Sequence, residues 1–373
     1  MASSINELPN LSQQEQAHAN LVQQHISAII KQQGAISFAE FMHQALYAPG
    51  LGYYSAGSQK FGSEGDFITA PEISELFSFC IANYCIEYLS NFPNTDLLEF
   101  GPGTGKLAVD VFKRLLKLGF VPQHYYLIEP SATLKARQKE FIKQELPQYM
   151  QHFVWLDTLP KEKISAIVIA NEVLDAMPVH LFHYDGKQMQ EYFVKENNHQ
   201  FVFELDKPSS ELLTNQLNVI QENYLNQQTN YTSEINLMAE GFIRSLSDCI
   251  QQGLILLIDY GFLASEYYHP QRNKGTLMCH FKHRAHGDPL IYPGLQDITA
   301  HVNFSPLIET AEKQGFSIES FSNQASFLMN AGLIDLLNEN ADDYFRHTQA
   351  IKLLTMPDQM GEIVKVLVLR LSS

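Results

Sequence analysis

Across 373 residues the chain carries 25 Lys and Arg against 41 Asp and Glu, a formal net charge of −16, with 45% hydrophobic residues. That length and apolar content allow a large core plus an elaboration. The acidic balance argues against nucleic acid, which takes a basic face, and permits a basic protein or peptide partner, although solubility alone also explains it.

The N-terminus, "MASSINELPNLSQQEQ", has neither a basic start nor an apolar stretch, so it is not read as a signal peptide. No apolar run approaches the roughly 20 residues of a membrane helix, so no membrane insertion is expected. Cys80, Cys85, Cys249 and Cys279 form no C-x-x-C pair, which points to a reducing compartment. A cytoplasmic protein is expected.

Residues from about Gln13 to Leu89 read as mostly helical, with Leu21, Ile26, Ile29 and Ile30 as the apolar stripe. A long loop rich in glycine and aromatics interrupts them, "YAPGLGYYSAGSQKFGSEGDFITAPEIS". Long ordered loops are more often functional than idle, and Gly65-Asp66-Phe67-Ile68-Thr69 reads as a lid over a cofactor or as a tethered surface loop.

Asp96 to Phe100 reads as a buried strand that ends at Gly101-Pro102, and Leu107, Val111, Leu115 and Leu118 then recur at helical spacing. Strand, glycine turn and helix are the first unit of an α/β fold with a doubly wound, mostly parallel sheet. A P-loop would need glycine at Phe100 and Ser or Thr at Leu107, so it fails twice. The dinucleotide fingerprint G-x-G-x-x-G is weakened by Lys106 in place of its last glycine. The pattern acidic-x-G-x-G-x-G fits in full from Glu99 through Gly101 and Gly103 to Gly105, and resembles motif I of class I S-adenosyl-L-methionine (SAM) methyltransferases. Missing side chains let the backbone pass close under a cofactor. An ordinary glycine-rich turn stays open as the alternative.

The next strand, "HYYLI", ends at Glu129, where a carboxylate can grip both ribose hydroxyls. "FVWLDTLP" brings Asp157 past an apolar stretch, where it could bond an adenine amino group. "ISAIVIANEVLDAMP" runs into Asn171, Glu172 and Asp175. Ligands of open α/β sheets bind outside the carboxyl ends of the strands. Glu99, Glu129, Asp157 and Asn171 with Glu172 are therefore expected at one edge.

After Pro178 a meander is expected, with Asp185-Gly186 as a hairpin turn and Asn197-Asn198 as the next, then a helix from about Ser209 to Asn226. "LILLIDYG" reads as the fifth core strand and brings Asp259 and Tyr260 to the same edge. The region after it reads as irregular. His280, His283 and His286 with Cys279 lack the paired short spacings of structural zinc, so no metal is assigned. Helices at Phe304 to Gln314 and Ala325 to Leu337 and a strand at "EIVKVLVLRL" close the chain.

"GDFITAPEIS", "EFGPGTG", "NEVLDAMPVH", "IDYG", "HRAHGDPL", "PGLQDITAHVNF" and "MPDQMGE" together resemble, in order, the MidA-like methyltransferases. That family includes a mitochondrial complex I assembly factor that methylates an arginine. The resemblance implies a Rossmann-like class I methyltransferase core at 91–180 and 252–373 with C-terminal elements. It also implies an N-terminal helical region with the lid at 1–90 and an inserted substrate-side subdomain at 181–251. SAM is the implied cofactor and S-adenosyl-homocysteine the product. Gly101, Gly103, Gly105 and Glu129 fall in the implied cofactor site, with Asp66, Phe67 and Thr69 lining it. Asn303 stands where many relatives carry Asp.

The implied reaction is SAM-dependent methylation of an arginine in a protein, a respiratory complex I subunit or another. The oligomeric state is left open, a homodimer included. Guanidinium has a pKa above about 12 and needs carboxylates to hold and polarise it. Glu172 and Asp175 could form that fork, with Tyr260 and His301 as orienting or proton-accepting groups. Glu172 could instead bind the cofactor, and Asp175 could cap a helix. A small-molecule methyltransferase and a SAM-binding assembly factor without turnover are the competing readings. A nicotinamide enzyme is disfavoured by the lack of a Tyr-x-x-x-Lys pair.

Overall fold

The computed structural model describes residues 8–56, 69–339 and 344–372. It divides into two compact units. One unit takes 1–58, 175–241 and 262–305, and the other 59–174, 242–261 and 306–373. The N-terminal helices Gln13–Gln33 and Phe38–Tyr47 share a unit with 175–241.

The core unit is the doubly wound α/β sheet. Its strands are β1 (Asp96–Phe100), β2 (Tyr125–Ile128), β3 (Phe153–Leu156), β4 (Ile164–Asn171), β5 (Ile250–Phe262), β6 (Ser317–Asn323) and β7 (Val364–Leu371). Their order across the sheet is β6-β7-β5-β4-β1-β2-β3. The pairs from β3 to β5 are parallel, and β7 runs antiparallel to β5 and β6. Parallel strands covered on both faces read as continuous apolar runs, and Ala166 to Ala170 are all buried. The winding reverses between β1 and β4, so their carboxyl ends flank the crevice where such sheets bind ligands.

Helix Lys106–Lys117 buries Leu107, Val111 and Leu115. Leu118 falls outside the expected stripe: it is the C-cap, and Gly119 at φ +82° turns the chain away. The expected helix from Ala325 to Leu337 is two, Gln324–Asn330 and Leu333–Glu339, broken at Gly332 with φ +86°.

In the other unit, helix Gln13–Gln33 starts on a capping box between Ser12 and Glu15. Its buried face is Ala19, Val22, Ile26 and Ile30, while Leu21 is 55% exposed. Positions 22, 26 and 30 repeat every four residues, and Leu21 lies off that row. Strands Ile36–Ser37, His180–Tyr184, Met189–Asn197, Gln200–Asp206 and Tyr231–Ile235 form one sheet. The Asp185 turn forms as expected, its Oδ1 accepting from Lys187 N at 2.7 Å and Gln188 N at 2.9 Å. The next turn is shifted by one residue: Asn198 and His199, not Asn197, take positive φ. The expected helix is present as Glu211–Tyr224.

The histidine-rich stretch is not irregular. Met278–Phe281, Arg284–His286 and Asp297–Thr299 form a three-stranded sheet, and Lys282 and His283 make a two-residue turn at φ 47° and 61°. In this hairpin Cys279 pairs with His286 and His280 with Ala285, while His283 lies in the turn. Among the described residues no three His, Cys, Asp or Glu converge to hold a metal.

Candidate active site

The glycine turn after β1 is built as the sequence requires. Gly101, Gly103 and Gly105 take φ of 59°, 53° and 87°, values that side-chain-bearing residues rarely adopt. A Cβ at Gly101 would meet Val173 Cγ2 at 3.3 Å, so this turn lies against the turn after β4. Thr104 Oγ1 donates to Glu72 Oε1 at 2.5 Å and accepts from Lys106 N at 3.3 Å, which steadies the start of the following helix.

Glu99 differs from its expected place at the open edge. It sits within β1 at 1% exposure, and its carboxylate accepts the Tyr125 hydroxyl at 2.6 Å. Burial raises its pKa to about 8, against the lowering by Tyr125. It underpins the turn from below.

Glu129 stands at the end of β2 at 4% exposure. Oε1 accepts from Ser131 N at 2.8 Å and Oε2 from Gln138 Nε2 at 3.2 Å. Burial raises its pKa, and those two hydrogen bonds and Lys135 act in the opposite sense. Asp157, just past β3, has an 88% exposed side chain paired with Lys135. The Lys135 hydrogen bond and charge hold its carboxyl below the usual range.

At the end of β4 the Asn171 side chain donates to Glu172 Oε1 at 3.4 Å. Its buried Oδ1 meets no donor among the described residues. Glu172 takes φ 53°, a conformation that costs on the order of 1–3 kcal/mol in a non-glycine residue and collects at functional sites. Its N–H donates to Ile258 O at 2.9 Å, and its Oε1 accepts from Ala70 N at 3.4 Å, at the long limit for a hydrogen bond. Asp259, fully buried, clamps the next two residues: Oδ2 accepts from Val173 N at 3.1 Å and Leu174 N at 2.8 Å. Tyr260 is partly buried against the core and donates its N–H to Asp259 Oδ1 at 2.8 Å.

Glu172 belongs to the core unit, and Asp175 and His301 to the other. Asp175 accepts Ala300 N on its backbone carbonyl at 2.9 Å. His301 packs its ring on Phe262 at 5.4 Å, and its N–H donates to Thr276 Oγ1 at 3.0 Å. Burial, with Arg272 nearby, lowers its pKa to about 4, so the imidazole is neutral at neutral pH. Thr69 is the N-cap of the short helix Ala70–Ile73. Asp66 and Phe67 lie outside the described residues.

Two residues escaped the sequence reading. Gln138, fully buried, donates to Gly103 O at 2.9 Å as well as to Glu129, and accepts from Trp155 Nε1 at 2.9 Å. Glu234, at 1% exposure in the other unit, accepts from Thr276 N at 2.8 Å, Leu277 N at 2.9 Å and Tyr267 Oη at 3.1 Å. A Gln between Arg137 and Lys139 gives no signal in the sequence, although its four-residue spacing to Ile142, the other buried residue of its helix, does.

These residues suit a nucleoside cofactor with an amino-acid tail. The turn holds three glycines, Glu129 is a carboxylate at a strand end that could accept ribose hydroxyls, and Asn171 Oδ1 is a buried acceptor that meets no donor among the described residues.

Comparisons with known proteins agree. A family model described as S-adenosyl-L-methionine-dependent methyltransferase matches residues 80–322. A crystallised protein of Burkholderia thailandensis, bound to S-adenosyl-homocysteine, is 37% identical with a TM-score of 0.92, covering 98% of this chain and 95% of that one. The mitochondrial protein arginine methyltransferase NDUFAF7 of Homo sapiens is 28% identical, over 91% of this chain and 80% of its own. Its homolog in Caenorhabditis elegans is 29% identical, over 82% and 74%. The chain belongs to this family of SAM-dependent methyltransferases, with S-adenosyl-L-methionine as its cofactor.

Proposed function

We propose that the chain transfers a methyl group from SAM to an arginine side chain of a protein substrate. The observation that carries this reading is Glu172, a carboxylate in a left-handed conformation at the end of β4, one residue before the Val173 side chain that abuts Gly101. The name of the relatives, protein arginine methyltransferase, supports the same substrate class.

Gly101, Gly103, Gly105, Glu129 and Asn171 would hold the cofactor, which supplies an electrophilic methyl group. The protein's part is to position the nucleophile and exclude water, and the Glu172 carboxylate would take the proton that the methylated nitrogen releases. A guanidinium is a poor nucleophile while its charge is spread over three nitrogens. The Glu172 carboxylate would hold that charge and aim one nitrogen at the methyl. Asp259 keeps the turn in shape by satisfying Val173 N and Leu174 N.

The test is methyl transfer from methyl-labelled SAM into a cell lysate, followed by hydrolysis and amino-acid analysis. Label in methylarginine supports the reading. Label confined to low-molecular-weight products points to a small-molecule enzyme, and SAM binding without transfer points to a non-catalytic role. Either result overturns the arginine assignment.

A further inference from the structure

The outer surface of helix Ala132–Glu145 is polar, and Gln138 is the one polar residue it buries. Three elements meet on that amide: the glycine turn through Gly103 O, the end of β2 through Glu129 Oε2, and β3 through Trp155 Nε1. Turned over, the amide would set its oxygen against two acceptors and its nitrogen against a donor, so the three partners fix its orientation. Ser131 N occupies the other oxygen of Glu129. A carboxylate offers about four lone-pair directions. Among the described residues one donor on each oxygen fixes the plane of the group, which leaves a lone-pair direction on each for a vicinal diol.

We propose that Gln138 is a positioning residue for ribose recognition. It locks the Glu129 carboxylate to the glycine turn and to Trp155, so that a diol meets a carboxylate already aimed. The inference rests on Glu129 being the ribose ligand. The single tryptophan of the chain reports on the network, because its indole N–H is one of the three contacts.

The experiment is calorimetric titration of S-adenosyl-homocysteine and of its 2′-deoxyribose analogue into the wild type, Gln138→Met, Trp155→Phe and Glu129→Ala. Gln138→Met keeps the volume and removes all three hydrogen bonds. It is expected to weaken S-adenosyl-homocysteine by about tenfold, in the range for a bond to a charged group, and the deoxy analogue by less than about threefold. Its ligand-free tryptophan emission should shift, as the indole loses its acceptor. Trp155→Phe removes one bond only and should give a smaller loss with the same dependence on the diol, which keeps the test open if Gln138→Met does not fold. Equal losses with both ligands would show that the amide serves the fold alone and overturn the proposal. So would unchanged affinity in Gln138→Met beside a loss in Glu129→Ala. Unchanged affinity in Glu129→Ala would overturn the ribose assignment itself.

Discussion

The carboxylate of Asp259 accepts the backbone N–H of Leu174 at 2.8 Å, and so ties β5 to the turn that carries Glu172. The same oxygen takes Val173 N at 3.1 Å, and Glu172 N is held by Ile258 O at 2.9 Å. Three consecutive backbone donors past β4 are thereby satisfied from the neighbouring strand. This is how a non-glycine residue is kept at φ 53° beside a glycine turn.

Asp259→Ala is therefore expected to leave buried N–H groups without an acceptor, at a cost of about 1–3 kcal/mol. Urea unfolding would read that loss. Turnover should fall as well, because Glu172 is freed from its strained conformation. Wild-type turnover in a destabilised variant would remove Asp259 from any part in shaping the site.

Gly103→Val should abolish SAM binding, since valine disfavours φ 53° and the turn would have to change shape. Glu129→Ala should weaken SAM by about 1.5–3 kcal/mol, roughly ten- to hundredfold. Calorimetric titration reads both, and unchanged affinity in the two variants would displace the cofactor from this edge.

Glu99 gives a pH dependence with a definite sign. Its folded pKa, raised by burial to about 8, lies above the ordinary carboxylate value, so the folded state retains a proton that the unfolded chain releases. The contribution is fully present below the unfolded pKa and is lost as pH rises through about 8. Glu99→Gln keeps an acceptor for Tyr125 and cannot ionise. Between pH 5 and 8.5 the wild type should lose stability relative to this variant, on the order of a few kcal/mol, read by urea midpoints. Because Glu99 is turned to Tyr125, the variant should bind S-adenosyl-homocysteine within about threefold of wild type. A larger loss would return Glu99 to the cofactor site.

The strand-turn-helix unit was legible because apolar runs, glycines and a 3.6-residue period lie in one short stretch. Glu129 and Asn171 were legible as residues at strand ends. The buried place of Glu99 inside β1 depends on its packing against Tyr125, which spacing alone does not reveal. The histidine hairpin was missed because Lys282 and His283 adopt positive φ without glycine. Gln138 was missed because its three partners come from three separate segments.

The proposed grip of Glu172 on a guanidinium is tested most directly by single-turnover methylation and SAM binding measured on the same preparations of wild type and Glu172→Gln. The glutamine keeps the shape and removes the charge that polarises the acceptor nitrogen. The expected result is a fall in turnover of about a hundredfold or more with SAM affinity within about threefold, because the lost interaction acts chiefly in the transition state. A loss of SAM affinity in proportion to the loss of rate would make Glu172 a cofactor ligand and contradict its role in holding the substrate.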